Sequence, residues 1–444
     1  MAPAPNRRVE VLRSATLREE VHRAVLPGGL QVYVCPKPGF AKRYASYSTH
    51  YGSIDSEFTA PGEAERRRVP DGIAHFLEHT LFETPRGNVS DLFARNGAYS
   101  NAATSFNTTS YLFSSSQRFY ENLALLLWFV ENPAFDPAKV EKEKGIIAEE
   151  IRMYQDDPGW VGYLGLLESL FANHPLRIDI AGSEESIRKI DVEALDRCYR
   201  TFYSRSNMIL FVIGDLDPAE VYDFVEKNSK GGDAAETGGG AASGRAAVSR
   251  YYPKEPGEPA RPEFRREMEV ALPKIIVGFK EVDIPAEGKA FLERELVTEF
   301  MLDYLFGRGS DGFQRFYEEQ LILDDFSASF HSSAGVGYAA IGGETPRPQE
   351  LRAAIGEEIA RARGGSIPLE DFRRQKRKFM GSFIRHVNSL EYIAGNYTYF
   401  RFHGVDLFEA IDALEAIRKE DVEARLDSLF DPARSATSLV VPKS

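Results

Sequence analysis

The chain has 444 residues, 43% hydrophobic and 27% charged, which is a globular composition and excludes a disordered or collagen-like chain. Its 54 basic and 67 acidic residues leave a net charge of −13, so neither a nucleic-acid backbone nor an anionic membrane has an electrostatic reason to hold it. At roughly 150 residues per domain, about two to three domains are expected.

The opening Met1-Ala-Pro-Ala-Pro-Asn-Arg-Arg-Val-Glu has no apolar run of the secretory kind. Runs such as Leu123 to Val130 fall far short of the roughly 20 residues needed to cross a bilayer. A cytoplasmic location is therefore expected. Strand-like segments cover 29–36 and 43–53. Cys35 ends the first, and Cys198 lies in a later helical stretch. Neither has a second Cys or a His at metal-ligand spacing, so both are expected in the core.

A helix is predicted over 72–83, with Asp71 as its cap and Thr84-Pro-Arg-Gly as its end. It carries His75-Phe-Leu-Glu78-His79. Residues four apart share a helical face, so His75 and His79 can offer two imidazole nitrogens to one ion. Glu78 falls on the same side, close to that ion without needing to bind it. Two imidazoles, a carboxylate and a water suit catalytic zinc, and His-x-x-Glu-His is the inverted zinc-peptidase order.

Residues 98–115 read as strand and contain Gly97-Ala-Tyr-Ser-Asn101-Ala102-Ala103-Thr104. By composition alone this is a Ser/Thr-rich strand. Helices follow over 119–131 and 138–155, the second opened by Asp136-Pro137. Glu143 and Glu150 are seven apart on it, close to two turns, and share a face. Ile146, Ile147 and Ile151 mark its buried side. A carboxylate beside that stripe is costly to leave unpaired, and a metal ion would satisfy it. Without the histidine motif the same charges would read as a solvated face.

A helix over 191–203 and a strand over 207–214 close the first half. Residues 231–244 are Gly- and Ala-rich, and Pro253, Pro256, Pro259 and Pro262 then impose an extended course. We expect a flexible linker over 231–263, between a zinc-bearing domain over 1–230 and a second domain over 264–444. The second half repeats the mixture, with strands over 264–270, 274–281, 325–333 and 336–343 and helices over 287–306, 347–363 and 369–389. Glu185-Ser-Ile-Arg-Lys-Ile-Asp-Val-Glu-Ala-Leu195 returns 230 residues later as Glu415-Ala-Ile-Arg-Lys-Glu-Asp-Val-Glu-Ala-Arg425. Each copy leads through a helical stretch to an apolar run. The pattern predicts an α+β fold of two tandem homologous domains, each a mainly antiparallel sheet with helices on one face.

With these motifs in this order, the chain resembles the pitrilysin superfamily of inverzincin zinc peptidases over nearly its whole length. That superfamily contains insulin-degrading enzyme and the mitochondrial processing peptidase. The resemblance implies one zinc ion per chain, held by His75, His79 and Glu150, with Glu78 as general base and Glu143 supporting the site. Glu149 competes for the place of third ligand. It also implies that Asn101, Ala102, Ala103 and Thr104 lie on an edge strand that binds a peptide as an added strand. The two domains would form half of a clamshell around a closed chamber.

The chain departs from the family at one place. Single-chain and homodimeric members carry an Arg and a Tyr, seven apart, in the second domain, where they help bind substrate and stabilise the anionic intermediate. Here Tyr317 stands where Arg would be, and Asp324 or Phe326 where Tyr would be. A Phe donates no hydrogen bond, and an Asp repels an oxyanion. Arg385, Tyr397, Tyr399 and Arg401 have no matching spacing. In the bacterial two-subunit branch the two halves of the site lie on paired chains. The expectation is therefore a zinc-bearing subunit of a heterodimer with a homologous chain that lacks His-x-x-Glu-His; a homodimer is the other assembly. A non-catalytic scaffold and a zinc esterase or amidase are the competing functions. Gly307-Arg-Gly-Ser-Asp-Gly has no Gly-Lys-Ser/Thr end, so ATP has no phosphate loop. His22, His50, His174, His331, His386 and His403 show no paired spacing and are expected to be structural.

Overall fold

The computed structural model describes residues 7–230 and 248–443. The part of the expected linker between them, and the first six residues of the chain, lie outside the described residues. The chain divides into two compact units, one of residues 1–151, 179–251 and 386–402, the other of residues 152–178, 252–385 and 403–444.

The first unit is built on seven strands: β1 (Val9–Ser14), β2 (Glu19–Val25), β3 (Gln31–Pro36), β4 (Arg43–Thr49), β5 (Ala98–Thr104), β6 (Thr109–Ser115) and β7 (Met208–Gly214). Their order is β1-β2-β3-β7-β4-β6-β5, which leaves β5 at an edge. All neighbours are antiparallel except β3 and β7. The single strand expected over 98–115 is thus a hairpin. Its turn is closed by the Ser105 amide on the Thr108 carbonyl at 2.8 Å.

The second unit has five strands: β8 (Glu263–Met268), β9 (Lys274–Val282), β10 (Ser327–Ser333), β11 (Val336–Glu344) and β12 (Ser435–Pro442), in the order β8-β12-β9-β11-β10. Here too one pair is parallel, β8 with β12. The order β3-β7-β4-β6-β5 of the first sheet is the same path taken a second time, as a tandem repeat of one α+β fold requires.

Helices from each half cover one face of its own sheet. In the first unit Phe93, Tyr111, Phe113 and Phe129 join strand and helix in one buried aromatic group, with ring centroids 5.5–6.2 Å apart. Cys35 and Cys198 are both buried, as expected. The opposite face is also apolar, since every residue of β7 is buried. It is covered by a helix from the far end of the chain, Leu390–Phe402, whose Tyr397 ring lies 5.2 Å from Tyr33 and 5.1 Å from Phe211. The converse holds in the second unit. Helix Pro158–Leu170, which comes from the first half, packs there against the sheet. The approach is close enough that a Cβ at Gly165 would collide with the Phe264 ring.

The Pro-rich stretch after residue 248 follows no regular structure through 251–262, but it is anchored. Glu255 is buried, accepts the amides of Ala172, Asn173 and His174 at 2.7–2.8 Å, and meets the buried Lys280 ammonium at 3.0 Å. The expected flexible linker over 231–263 is therefore fixed in its second part. A carboxylate that gathers three backbone donors and a buried cation is held strongly.

Candidate metal centre

The histidine helix runs over Ile73–Phe82. Asp71 does not cap it. The cap position is Gly72, in the left-handed region at φ 88°, and Asp71 instead pairs with Arg68 at 3.0 Å. Glycine is needed there for two reasons: the positive φ, and the Ala181 carbonyl that a Cβ would strike. Ile73, Ala74, Phe76, Leu77 and Leu81 are buried, so the helix is fixed by its apolar side. His75 and His79 emerge together on the other side, their ring centroids 4.5 Å apart and 64° from coplanar.

The glutamate helix runs over Pro137–Gln155, and Asp136 accepts the Ala138 and Lys139 amides at its start. Val140, Ile147 and Ile151 bury its core side. Ile146, expected with them, is 44% exposed, because it lies beyond the glutamates on the helical wheel. Glu143 and Glu150 flank the buried stripe and turn toward the histidines. Glu150 lies 3.7 Å from His75 Nε2 and 3.3 Å from His79 Nε2. Glu149 is exposed and does not join the cluster.

His75, His79 and Glu150 each offer one ligand atom within 4.8 Å of the others. Zinc–ligand bonds of about 2.0–2.1 Å at tetrahedral angles put ligand atoms about 3.3–3.5 Å apart. The 3.3 Å from His79 Nε2 to Glu150 Oε2 falls in that range, and the 3.7 Å from His75 Nε2 to the other oxygen, Oε1, lies a few tenths of an ångström beyond it. Glu143 is buried and its Oε1 lies 2.9 Å from His79 Nδ1. A carboxylate oxygen accepts, so the ring donates through Nδ1, and Nε2 is the nitrogen turned toward the cluster, free to bind a metal once it gives up its proton.

Electrostatics point the same way. Burial pushes His75 down to about 4, with His79 adding to the effect. Burial also opposes charge on His79, but hydrogen bonds to Glu143 and Glu150 outweigh it and raise that ring to about 10. The hydrogen bond from His79 lowers Glu150. A cation on His79 thus balances carboxylates that a metal ion would otherwise balance. Glu78 is 8% exposed, and burial raises it, opposed by His79 and by a hydrogen bond from Thr104.

That hydrogen bond, Thr104 Oγ1 to Glu78 Oε2 at 2.9 Å, was not readable from the sequence. The only hint was that Thr104 falls in a recognisable motif, which says nothing of its partner. Asn101 and Ala103 are exposed on β5, while Ala102 and Thr104 are half-buried. Of the residues standing at the Arg and Tyr places, Tyr317 is 60% exposed, Asp324 is exposed, and Phe326 is buried against Phe313 and Phe316 at 6.1 and 5.9 Å. Tyr397 is a core residue, and Arg401 lies over the Tyr33 ring at 5.8 Å. His50 and His403 stack on Phe402 and Phe291 at 4.9 and 4.1 Å. No helix among the described residues is long and apolar enough to cross a membrane.

The fold and the histidine helix define a class, and the chain belongs to peptidase family M16. The family description "Insulinase (Peptidase family M16)" matches residues 63–184, and "Peptidase M16 inactive domain" matches residues 189–379. Among individual proteins, the chain is 41% identical over 428 residues to "Uncharacterized zinc protease YmfH" of Bacillus subtilis (strain 168), covering 96% of this chain and 98% of that one. A solved structure of a putative M16-like peptidase from Alicyclobacillus acidocaldarius superposes with a TM-score of 0.88 at 33% identity, covering 100% of both chains. A protease from Helicobacter pylori shares the fold, with a TM-score of 0.77 at 18% identity over 99% of this chain and 100% of that one.

Proposed function

We propose that this chain is the catalytic, zinc-bearing subunit of a cytoplasmic endopeptidase that cleaves peptides or unfolded segments inside a closed chamber. The observation that carries the proposal is the convergence of His75, His79 and Glu150 within 4.8 Å, with the buried Glu78 beside them. The names of its relatives, zinc proteases, support the activity class.

His75, His79 and Glu150 would hold one zinc ion, and Glu143 would fix the His79 ring. Bound zinc supplies Lewis acidity toward a water and the scissile carbonyl. Glu78 takes the proton of the attacking water and returns it to the departing amine. The exposed edge of β5, with Asn101 and Thr104 on it, offers backbone N–H and C=O groups to an extended segment, and the small Ala102 and Ala103 let it approach closely. Backbone pairing of this kind reads shape rather than sequence.

No Arg/Tyr pair stands at the family's place in this chain. We therefore assign that function to a partner of the same fold that lacks His-x-x-Glu-His. A second reading, a non-catalytic core subunit, draws on the match of residues 189–379 to an inactive-domain description.

The test is cleavage of a quenched fluorogenic peptide by the zinc-loaded chain, alone and with a homologous chain of that type. Cleavage only with the partner, lost by about 10²–10⁴-fold in Glu78→Gln, is the expected result. Cleavage by the chain alone would remove the partner from the proposal. Bound zinc with no cleavage in any combination would leave the scaffold reading.

A further inference from the structure

The edge strand does more than face the place where a substrate would lie. Thr104, the last residue of β5, donates from Oγ1 to Glu78 Oε2 at 2.9 Å across 26 residues of sequence. It is the one hydrogen-bond donor to the Glu78 side chain among the described residues. Thr104 is itself placed by its neighbour in the hairpin. It pairs with Thr109 in the β5–β6 register, and the two hydroxyl oxygens lie 3.4 Å apart. Thr109 is fully buried and spends its own proton on the Tyr51 carbonyl at 2.9 Å. The Thr109 hydroxyl thus has no proton left for Thr104, the 3.4 Å approach is packing across the hairpin, and the single Thr104 proton goes to the carboxylate.

From this geometry we propose that Thr104 is the positioning residue for Glu78, holding one carboxylate oxygen so that the other is presented to the reacting water. The proposal rests on the peptidase reading above and adds a specific role to the same site. A buried carboxylate on a helix has several rotamers, and a general base must stay within hydrogen-bond reach of the proton it takes. Thr104 supplies the restraint from the strand against which the substrate would pair. Base and substrate are thereby referenced to one backbone, and a small error in either is not magnified by independent movement of the other.

The experiment compares Thr104→Val, which keeps the branched shape and removes the hydroxyl, with Thr104→Ser, which keeps the hydroxyl. Both are assayed with zinc and the partner chain. Thr104→Val should lower kcat by about 10- to 100-fold, the worth of a hydrogen bond to a charged group, with KM within about 2-fold. Thr104→Ser should return kcat to within about 3-fold of the unaltered protein, and zinc content should be the same in all three. Metal-free protein gives a second reading that does not depend on turnover. Thr104→Val should lower the melting temperature, and this shift should disappear in the Glu78→Met background, because the contact is already gone.

An unchanged kcat in Thr104→Val overturns the proposal. So does a rise in KM alone, which would make Thr104 only part of the substrate dock. Loss of zinc, or equal melting shifts in the two backgrounds, overturns it as well. If the unaltered protein cleaves no peptide with or without its partner, the peptidase reading falls, and the base that Thr104 was to position falls with it.

Discussion

His79 Nδ1 and Glu143 Oε1 lie 2.9 Å apart, with Glu143 7% exposed. The pair decides which imidazole nitrogen is left for a metal. Glu143→Gln keeps an acceptor near the ring and removes the negative charge. Zinc affinity should fall by about 10- to 100-fold, the usual cost of altering such a partner, as measured by competition with a chelator of known affinity. Unchanged affinity would make Glu143 a bystander.

Glu150 and Glu149 are neighbours in sequence with different surroundings. Glu150 meets both imidazoles, and Glu149 is exposed. Glu150→Gln should purify with far less than one zinc per chain, whereas Glu149→Gln should keep a full complement. Metal analysis by mass spectrometry separates them. The opposite pattern would show that the helix rotates when metal binds.

Metal binding should also release a proton. In the metal-free protein His79 is raised from 6.5 to about 10, so its ring carries a proton at neutral pH. Zinc needs the neutral ring, so apparent affinity should rise about tenfold per pH unit between pH 7 and 9. Calorimetry in buffers of different ionisation enthalpy would count the proton. The sign for stability follows from the same shift. A ring whose folded value is raised contributes stability that is complete below about 6.5 and lost as pH rises through about 10. The metal-free protein should therefore lose its His79 contribution in mild alkali, and a His79→Gln variant should not show that loss.

Glu255 supports the second unit away from the metal. Burial raises its proton affinity, but the amides of Ala172, Asn173 and His174 and the Lys280 ammonium more than reverse this, and its pKa is lowered. Glu255→Ala would strand three amides and a buried lysine, at about 3–5 kcal/mol. Chemical denaturation should show that loss at pH 7. For a carboxyl with a lowered folded value, the contribution is present above its unfolded value near 4.5 and lost as pH falls through the folded one. The variant and the unaltered protein should converge in acid.

Much of the candidate site was legible because its chemistry is local. His75, Glu78 and His79 sit on a single helix, and Glu143 and Glu150 on another, so residue type and helical period sufficed to group each set. Their joining needed the resemblance, since nothing in the residues themselves says which two helices meet. The Thr104–Glu78 contact depends on the register of a hairpin and on which strand lies at the sheet edge, and neither is encoded in a short window. Asp71 departs from the expected capping role for a related reason. Asp before a helix is a good cap in general, but here Arg68 takes its carboxylate and Gly72 makes the turn. The sequence period also marked Ile146 as buried, and only the position of the neighbouring glutamates shows why it is not.

The crossed placement of Pro158–Leu170 and Leu390–Phe402 has a consequence for how the molecule could ever be divided. A fragment ending near residue 230 would keep Tyr33 and Phe211 but lose the Tyr397 ring that covers them. A fragment beginning near residue 248 would keep Phe264 but lose the helix whose Gly165 makes room for it. Severing the polypeptide at its Gly-rich middle would thus leave an uncovered apolar sheet face on each piece. The duplication has become a mutual dependence, in which each copy of the fold is finished by a piece of the other.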